Sequence, residues 1–344
     1  MSDEIPREMK AVVLTAYHEA AADAIGGLQV RTRPVPTPRR GQVLVRVEAA
    51  PCNPSDLLFL QGKYGVRKTL PAVPGWEGAG TVVASGGGWL ARWLNGKRVA
   101  CGVQGDRDGT WAEYVVANAA ECIPLKKKLD IEQGACLIIN PLTAMGLFDT
   151  AERNGHRAAI QTGGASQLGR MLIQIASEAA FPLISVVRRE AQVELLKSLG
   201  AVHVLNSSDE NFADDAKALC ERLGATIGFD AVGGMQAGTL MNLMPSDSTV
   251  YVYGALSEEA LGNFDPLELI FHNKTVRGFY LGEWLKSRGA IGILRAANHV
   301  QRMLIDRRIT TQIQRRVGFG DVKEGLLQYL DHMTDGKVLI KPHP

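Results

Sequence analysis

From about residue 137 onward, short apolar runs alternate with amphipathic stretches. RAAIQTG (157–163) is an apolar run of strand length. After it come Leu168, Met171, Leu172, Ile175, Ala176 and Ala179, spaced three and four apart, which predicts one buried face of a helix. LISVV (183–187) is the next strand, and Val193, Leu196 and Leu199 mark the helix that follows. AVHVLN, ATIGFD and STVYVYG continue the alternation. Strands and helices in turn at this pitch predict a parallel sheet with right-handed crossovers. The first 130 or so residues have another texture. QVLVRVEA places Val43, Val45 and Val47 on one face, and many short runs are punctuated by Gly and Pro, so this part reads as β-rich. Beyond Trp284, a helix around 288–304, a second at DVKEGLLQYLDHM and a closing strand GKVLI predict a return to the first domain. The expected organisation is an α/β protein with one domain over 137–286 inserted into another made of 1–136 and 287–344.

Length and composition support two domains and narrow the partners. A chain of 344 residues is long for a single core, and 46% hydrophobic with 22% charged residues is ordinary for a globular protein. A formal charge of +2 is too small to suggest nucleic acid. The run KKK at 126–128 and the pairs Arg39-Arg40, Arg307-Arg308 and Arg315-Arg316 are scattered and read as solvated faces. Apolar runs are broken before about 18 residues, so no membrane partner is expected. MSDEIPREMK is polar and carries acids, unlike a secretory signal or a transit peptide. Five cysteines without a Cys-x-x-Cys pair argue against a disulfide framework or a zinc ribbon and fit a reducing cytosol. The expected setting is cytoplasmic.

Three stretches carry candidate chemistry. QTGGASQLGR lies between an apolar strand and an amphipathic helix, where a glycine-rich turn can cradle a pyrophosphate. Against Gly-x-Gly-x-x-Gly, Gly164 and Gly169 fill the first and third places and Ser166 replaces the second. Serine is small enough for phosphate to approach and has a hydroxyl to donate. A plain strand–helix turn is the bland alternative. The next strand ends SVVRR, so Arg188 and Arg189 stand where a ribose-binding acid is expected. An acid would repel a 2′-phosphate, whereas a guanidinium pairs with it in a fork. A solvated arginine pair is the alternative, but with the loop the pair points to NADPH. The third stretch, VPGWEGAG, places Glu77 beside a large aromatic, and an ionised carboxylate is costly to bury unless something pairs with it.

With these parts in this order, and with GTWAEYVV, FDAVGG and GKVLI, the chain resembles the medium-chain dehydrogenase/reductase superfamily over nearly its full length. The resemblance implies a GroES-like β domain plus an inserted Rossmann doubly wound parallel-sheet domain. Zinc alcohol dehydrogenases of the family carry a Cys in the segment matching CNPSD, a Gly-His-Glu, and a second Cys before the Rossmann domain. Here those positions read Asn53, Trp76 and Asn140, and Cys52 is one place out of register. A zinc site needs three or four converging donors, so no metal is expected, and Glu77 becomes a structural carboxylate buried against a cation or backbone amides. The chain is most similar to the zinc-free 2-enoyl thioester reductases of the mitochondrial type and to quinone oxidoreductases. NPSDLLFLQGKYG and LIFHNKTVRGFYLGEWLK favour the former, and FDAVGG is shared. The resemblance implies Tyr64 as proton donor or enolate stabiliser, Arg188 as reader of the 2′-phosphate, and Thr143, in NPLTA, beside the nicotinamide. Asn53 would orient Tyr64 or the nicotinamide ribose. Trp284 and Phe279 would line an acyl pocket or belong to the core. It also implies a homodimer paired through the sheet edge near TVRGFYLG.

The expected function is an NADPH-dependent, zinc-independent reductase passing hydride to a small quinone or a carbonyl-conjugated C=C. An enoyl thioester reductase and a non-catalytic NADPH-binding protein stand as alternatives.

Overall fold

The computed structural model describes residues 4–343. Its contacts divide the chain into two units, one running to Ile139 and resuming at Ala297, the other spanning Asn140–Ala296. The return begins at Ala297 rather than at the expected 287. The long helical stretch Leu281–Ile305, kinked at Gly289 (φ 61°, ψ 175°), runs through this boundary, and residues 281–296 of it belong to the inserted unit.

The inserted unit is built on six parallel strands. Across the sheet they run His203–Asn206, Leu183–Val187, Ala158–Gln161, Ala225–Asp230, Thr249–Val252 and Thr275–Gly278. In chain order this is third, second, first, fourth, fifth, sixth, so the winding reverses between Ala158–Gln161 and Ala225–Asp230. This is the doubly wound arrangement, whose ligands bind beyond the strand carboxyl ends at that reversal. Ala158–Gln161 and Leu183–Val187 are buried at every position, as expected of strands covered on both faces. Helix Gln167–Glu178 buries Leu168, Met171, Leu172, Ile175 and Ala176, the face its spacing predicts. Ala179, assigned to that face from the sequence, is instead the exposed C-cap.

The other unit is a largely antiparallel sheet. Its strands run in the order Ile313–Val317, Lys337–Ile340, Gln42–Pro51, Glu77–Ser85, Arg98–Gly102 and Cys122–Pro124, and Tyr114–Asn118 also pairs with Gln42–Pro51. Val43, Val45 and Val47 are fully buried in it. Leu339 opposes Pro51, and Cys52 N–H donates to the Val338 carbonyl at 3.0 Å. This stitching brings the last strand against the segment that begins CNPSD.

Candidate active site

In the inserted unit, the glycine-rich turn follows strand Ala158–Gln161 and opens helix Gln167–Glu178. Ser166 is the N-cap, and its Oγ accepts from Gly169 N–H at 3.0 Å, leaving the hydroxyl hydrogen free to donate. Gly169 has to be glycine. A Cβ there would stand 2.6 Å from the Gly164 carbonyl oxygen and 2.7 Å from that of Gly163, so helix and turn approach by backbone alone. Gly164 N–H donates to the Val186 carbonyl at 3.2 Å, tying the turn to the neighbouring strand. Just past that strand come Arg188 and Arg189, both exposed, and neither guanidinium has an ion-pair partner among the described residues. Their backbones are nonetheless held: Ser208 Oγ donates to the Arg188 carbonyl at 3.0 Å, and Arg189 is the N-cap of helix Glu190–Ser198.

Across the reversal lies a pairing that sequence reasoning missed. Thr162 Oγ1 donates to Asp230 Oδ1 at 2.6 Å, and the Asp230 carboxylate also accepts from Val232 N–H at 3.1 Å and Gly233 N–H at 2.8 Å. One buried acid thus fixes two loops at the strand carboxyl ends. The available signal was an acid closing ATIGFD just before a Gly-Gly. Nearby, Tyr253 follows strand Thr249–Val252, and its hydroxyl is buried with no hydrogen-bond partner among the described residues. An unsatisfied buried hydroxyl is costly unless a ligand meets it. Thr143 is buried on helix Ile139–Arg153. Trp284 packs into this unit's interior. Its Nε1 donates to Asp149 Oδ2 at 2.9 Å, and its ring would lie 3.0 Å from a Cβ at Gly146, with Phe279 nearer still at 2.7 Å.

In the antiparallel unit, Glu77 begins strand Glu77–Ser85 and is buried. Its Oε2 accepts from Ile138 N–H at 2.9 Å and Ile139 N–H at 3.0 Å, and its Oε1 accepts from Asn53 Nδ2 at 3.0 Å. Asn53 Oδ1 in turn accepts from Lys337 Nζ at 2.7 Å, and the same ammonium lies 3.3 Å from the Tyr329 hydroxyl. Asp56 sits beside this chain, accepting from the N–H groups of Asn53 (2.8 Å) and Trp76 (3.1 Å). Burial dominates the electrostatics. It pushes Glu77 up to about 7 and Asp56 up to about 6, against the downward pull of their hydrogen bonds and of Lys337, and it lowers Lys337. Lys337 and Asp56 were not picked out from the sequence. Asn53, with both ends of its amide engaged, links Glu77 to Lys337.

Tyr64 lies on the loop after helix Pro54–Leu60 and is half-buried. Its ring packs on Trp76 with centroids 5.2 Å apart, and Trp76 also meets Phe59 edge-on at 5.2 Å. The ammonium of Lys68 sits 4.6 Å from the Trp76 ring centroid and donates to the Val73 carbonyl at 3.0 Å.

Two family models match this chain: the alcohol dehydrogenase GroES-like domain over residues 39–127 and the zinc-binding dehydrogenase domain over 168–295. A mitochondrial enoyl-[acyl-carrier-protein] reductase of Caenorhabditis elegans is 31% identical over 254 residues, covering 72% of this chain and 71% of its own. The corresponding protein of Arabidopsis thaliana is 32% identical over 254 residues, and this chain spans 66% of its length. The crystal structure of a candidate NADPH:quinone reductase from Mesorhizobium loti superposes with a TM-score of 0.91 at 37% identity, covering 98% of this chain and 99% of that one. The chain belongs to the medium-chain dehydrogenase/reductase superfamily. As a member of that superfamily it is an oxidoreductase, with a GroES-like unit and a Rossmann unit.

Of the residues the sequence singled out, Gly164, Ser166, Gly169, Arg188 and Arg189 gather at the carboxyl ends of the Rossmann strands. Asn53 and Glu77 meet in the GroES-like unit. Asn53, Trp76 and Asn140, which the sequence resemblance set against zinc-ligand positions, are all buried. Among the described residues, no group of three or more His, Cys, Asp or Glu stands together in a way that could hold a metal ion.

Proposed function

We propose that this protein is an NADPH-dependent, zinc-independent reductase that transfers hydride to a quinone or to a C=C conjugated with a carbonyl. The observation that carries the reading is the pair of exposed guanidiniums, Arg188 and Arg189, at the end of the strand beside the glycine-rich turn, with no ion-pair partner among the described residues. The residues fit a dinucleotide. Gly169 lets helix and turn approach by backbone alone, Ser166 retains a hydroxyl hydrogen, and the buried Tyr253 hydroxyl has no hydrogen-bond partner among the described residues. NADPH, when bound, supplies the hydride. Arg188 and Arg189 would pair with the 2′-phosphate, and Thr143 would line the nicotinamide site.

Zinc does not fit. Asn53 spends its amide on Lys337 and Glu77, Trp76 offers no ligand atom, and Glu77 is saturated by two backbone amides and Asn53. Without a Lewis acid, the charge developing on the substrate oxygen has to be met by hydrogen-bond donors. Tyr64 takes that part in this reading, donating to the oxygen or protonating the α-carbon. Asn53 acts through the buried network that holds helix Pro54–Leu60, the element leading into the Tyr64 loop. A homodimer, joined through the open edge strand Thr275–Gly278, completes the reading. The neighbouring helix Pro266–Phe271 exposes Leu267, Ile270 and Phe271, apolar surface suited to cover by a second copy. The reading places the enzyme in the cytoplasm.

A second reading, an enoyl thioester reductase, is favoured by the Tyr64 segment and by the enoyl-[acyl-carrier-protein] reductases among the relatives. The deciding experiment follows NADPH absorbance across quinones, small enones and enoyl-CoA thioesters. A kcat/KM at least about tenfold higher for quinones or enones supports the main reading, and the reverse ratio establishes the second. Efficient NADP-dependent oxidation of ethanol, or no turnover with any activated alkene or quinone, would overturn both.

A further inference from the structure

Trp89 and Trp93 are the conspicuous surface residues of the GroES-like unit. They lie four apart on the short helix Trp89–Leu94, are 81% and 51% exposed, and point away from the buried Ala91 and Leu94. Tryptophan is seldom left this open to water, and two on one helical face form an apolar tip.

The topology surrounds that tip with positive charge. Strand Gln42–Pro51 starts, and strands Glu77–Ser85 and Tyr114–Asn118 finish, at the same end of the sheet: Val43 opposes Ser85 and Gln42 opposes Asn118. The turn at Gly86–Gly88, which launches the helix, is pinned to the Arg39–Gln42 turn by Gly41 N–H to the Gly87 carbonyl (2.9 Å) and Gly86 N–H to the Gln42 carbonyl (3.0 Å). A Cβ at Gly86 would lie 2.1 Å from the Arg39 carbonyl oxygen, so the two turns are in direct backbone contact. Arg39 and Arg40 are therefore held beside the tryptophans, both exposed. Arg92 is exposed between them, and the Lys97 ammonium sits over the Trp93 ring, 3.1 Å from its centroid.

Acids are few here and already committed. Segments 38–42 and 85–98 contain none. Glu121 is paired with Arg107 at 2.7 Å, and the Asp130 carboxylate accepts from Glu132 N–H and Gln133 N–H.

We propose that this end of the sheet docks on anionic membrane lipid, with Trp89 and Trp93 entering the headgroup layer and Arg39, Arg40 and Arg92 facing the lipid phosphates. Indole rings favour the polar–apolar boundary of a bilayer, and clustered Lys and Arg are attracted to its negative surface. Charge also disfavours a second copy of this chain at the same place, because a two-fold contact would set arginine against arginine. The pair Arg39-Arg40 and Arg92, about fifty residues apart along the sequence, thus come to one surface. The inference does not depend on which substrate the enzyme reduces. A lipid-docked enzyme would stand where apolar quinones dissolve.

The test is co-sedimentation of the full chain with vesicles of phosphatidylglycerol and phosphatidylcholine, and with phosphatidylcholine alone, at low and high salt. Binding to the anionic vesicles, lost at high salt and absent from neutral vesicles, is expected. Trp89→Ala/Trp93→Ala and Arg39→Glu/Arg40→Glu should each weaken it by at least about tenfold, with thermal melting and NADPH oxidation unchanged. No binding to anionic vesicles, or binding indifferent to both double variants, would overturn the proposal. So would a Trp89→Ala/Trp93→Ala variant that turns a dimer into a monomer in light scattering, which would make this face a contact between copies. Binding to a single-stranded oligonucleotide that is abolished by the same variants while vesicles are ignored would replace lipid with nucleic acid.

Discussion

Glu77 in the GroES-like unit and Arg188 in the Rossmann unit are charged groups at strand ends, and the protein treats them in opposite ways. The Glu77 carboxylate is closed off by two backbone amides and Asn53, with Lys337 behind Asn53. The Arg188 guanidinium is exposed and has no ion-pair partner among the described residues, although its backbone is tied down. A buried charge with no external partner has to be neutralised by the fold or it destabilises the fold. A charge kept for a ligand can stay in water until the ligand arrives. A committed carboxylate and an open guanidinium are therefore different signals, and the open one carries the cofactor reading.

The largest expected effect breaks the closed side. Lys337→Met would take the Lys337 cation away from Glu77 and leave Asp56 only the buried Lys68, and should cost about 3–5 kcal/mol of folding stability. Urea denaturation measures it, and a loss within about 0.5 kcal/mol of zero would show that the ammonium is dispensable. The same network predicts a pH dependence. A carboxyl whose folded pKa lies above its unfolded 4.5 binds more protons when folded, so its contribution to stability falls as pH rises from about 4.5 to about 7. Glu77→Gln should remove that part of the slope, on the order of 3 kcal/mol across the window. Asp56, raised to about 6, acts in the same direction, so the slope shrinks without vanishing. Denaturation midpoints at pH 4.5 and 7.5 that shift identically in both proteins would count against the buried-carboxyl account.

On the open side, Arg188→Ala should weaken NADPH binding by about ten- to hundredfold, the cost of a charge-assisted contact worth about 1.5–3 kcal/mol. NADH binding should barely change. Equal loss of both cofactors in calorimetric titration would make the arginine structural rather than selective. The smallest effect concerns Tyr64→Phe, which removes one donor hydroxyl from a ring that keeps its packing on Trp76. NADPH affinity should hold while kcat for an enone falls by at least about tenfold, and quinone reduction, which needs no proton delivered to carbon, should fall less. An unchanged kcat where hydride transfer limits the rate would reduce Tyr64 to a packing residue.

The Rossmann unit was legible because its signals are local. Apolar spacing in 168–176 specifies which helix face is buried, and a glycine whose Cβ would strike a carbonyl 2.6 Å away lies five residues from that carbonyl. The sequence also announced that Glu77 was unusual, and singled out Asn53, one of the groups that hold it. It did not name Lys337, because an isolated lysine opening GKVLI looks like any solvated one. What reveals that lysine is strand pairing. Leu339 stands against Pro51, and this register carries Lys337 to an asparagine 284 residues earlier in the chain. The Trp89 surface shows the same limit: Arg39 and Arg40 become neighbours of Trp89 only when antiparallel strands end together. By itself the sequence determined the periodicities, the turns and the residue types at each position, which short-range sterics and burial impose. Which distant charges neutralise one another, and which are left facing water, was decided by the folded sheet, because Coulomb energy and desolvation depend on separation in space rather than along the chain.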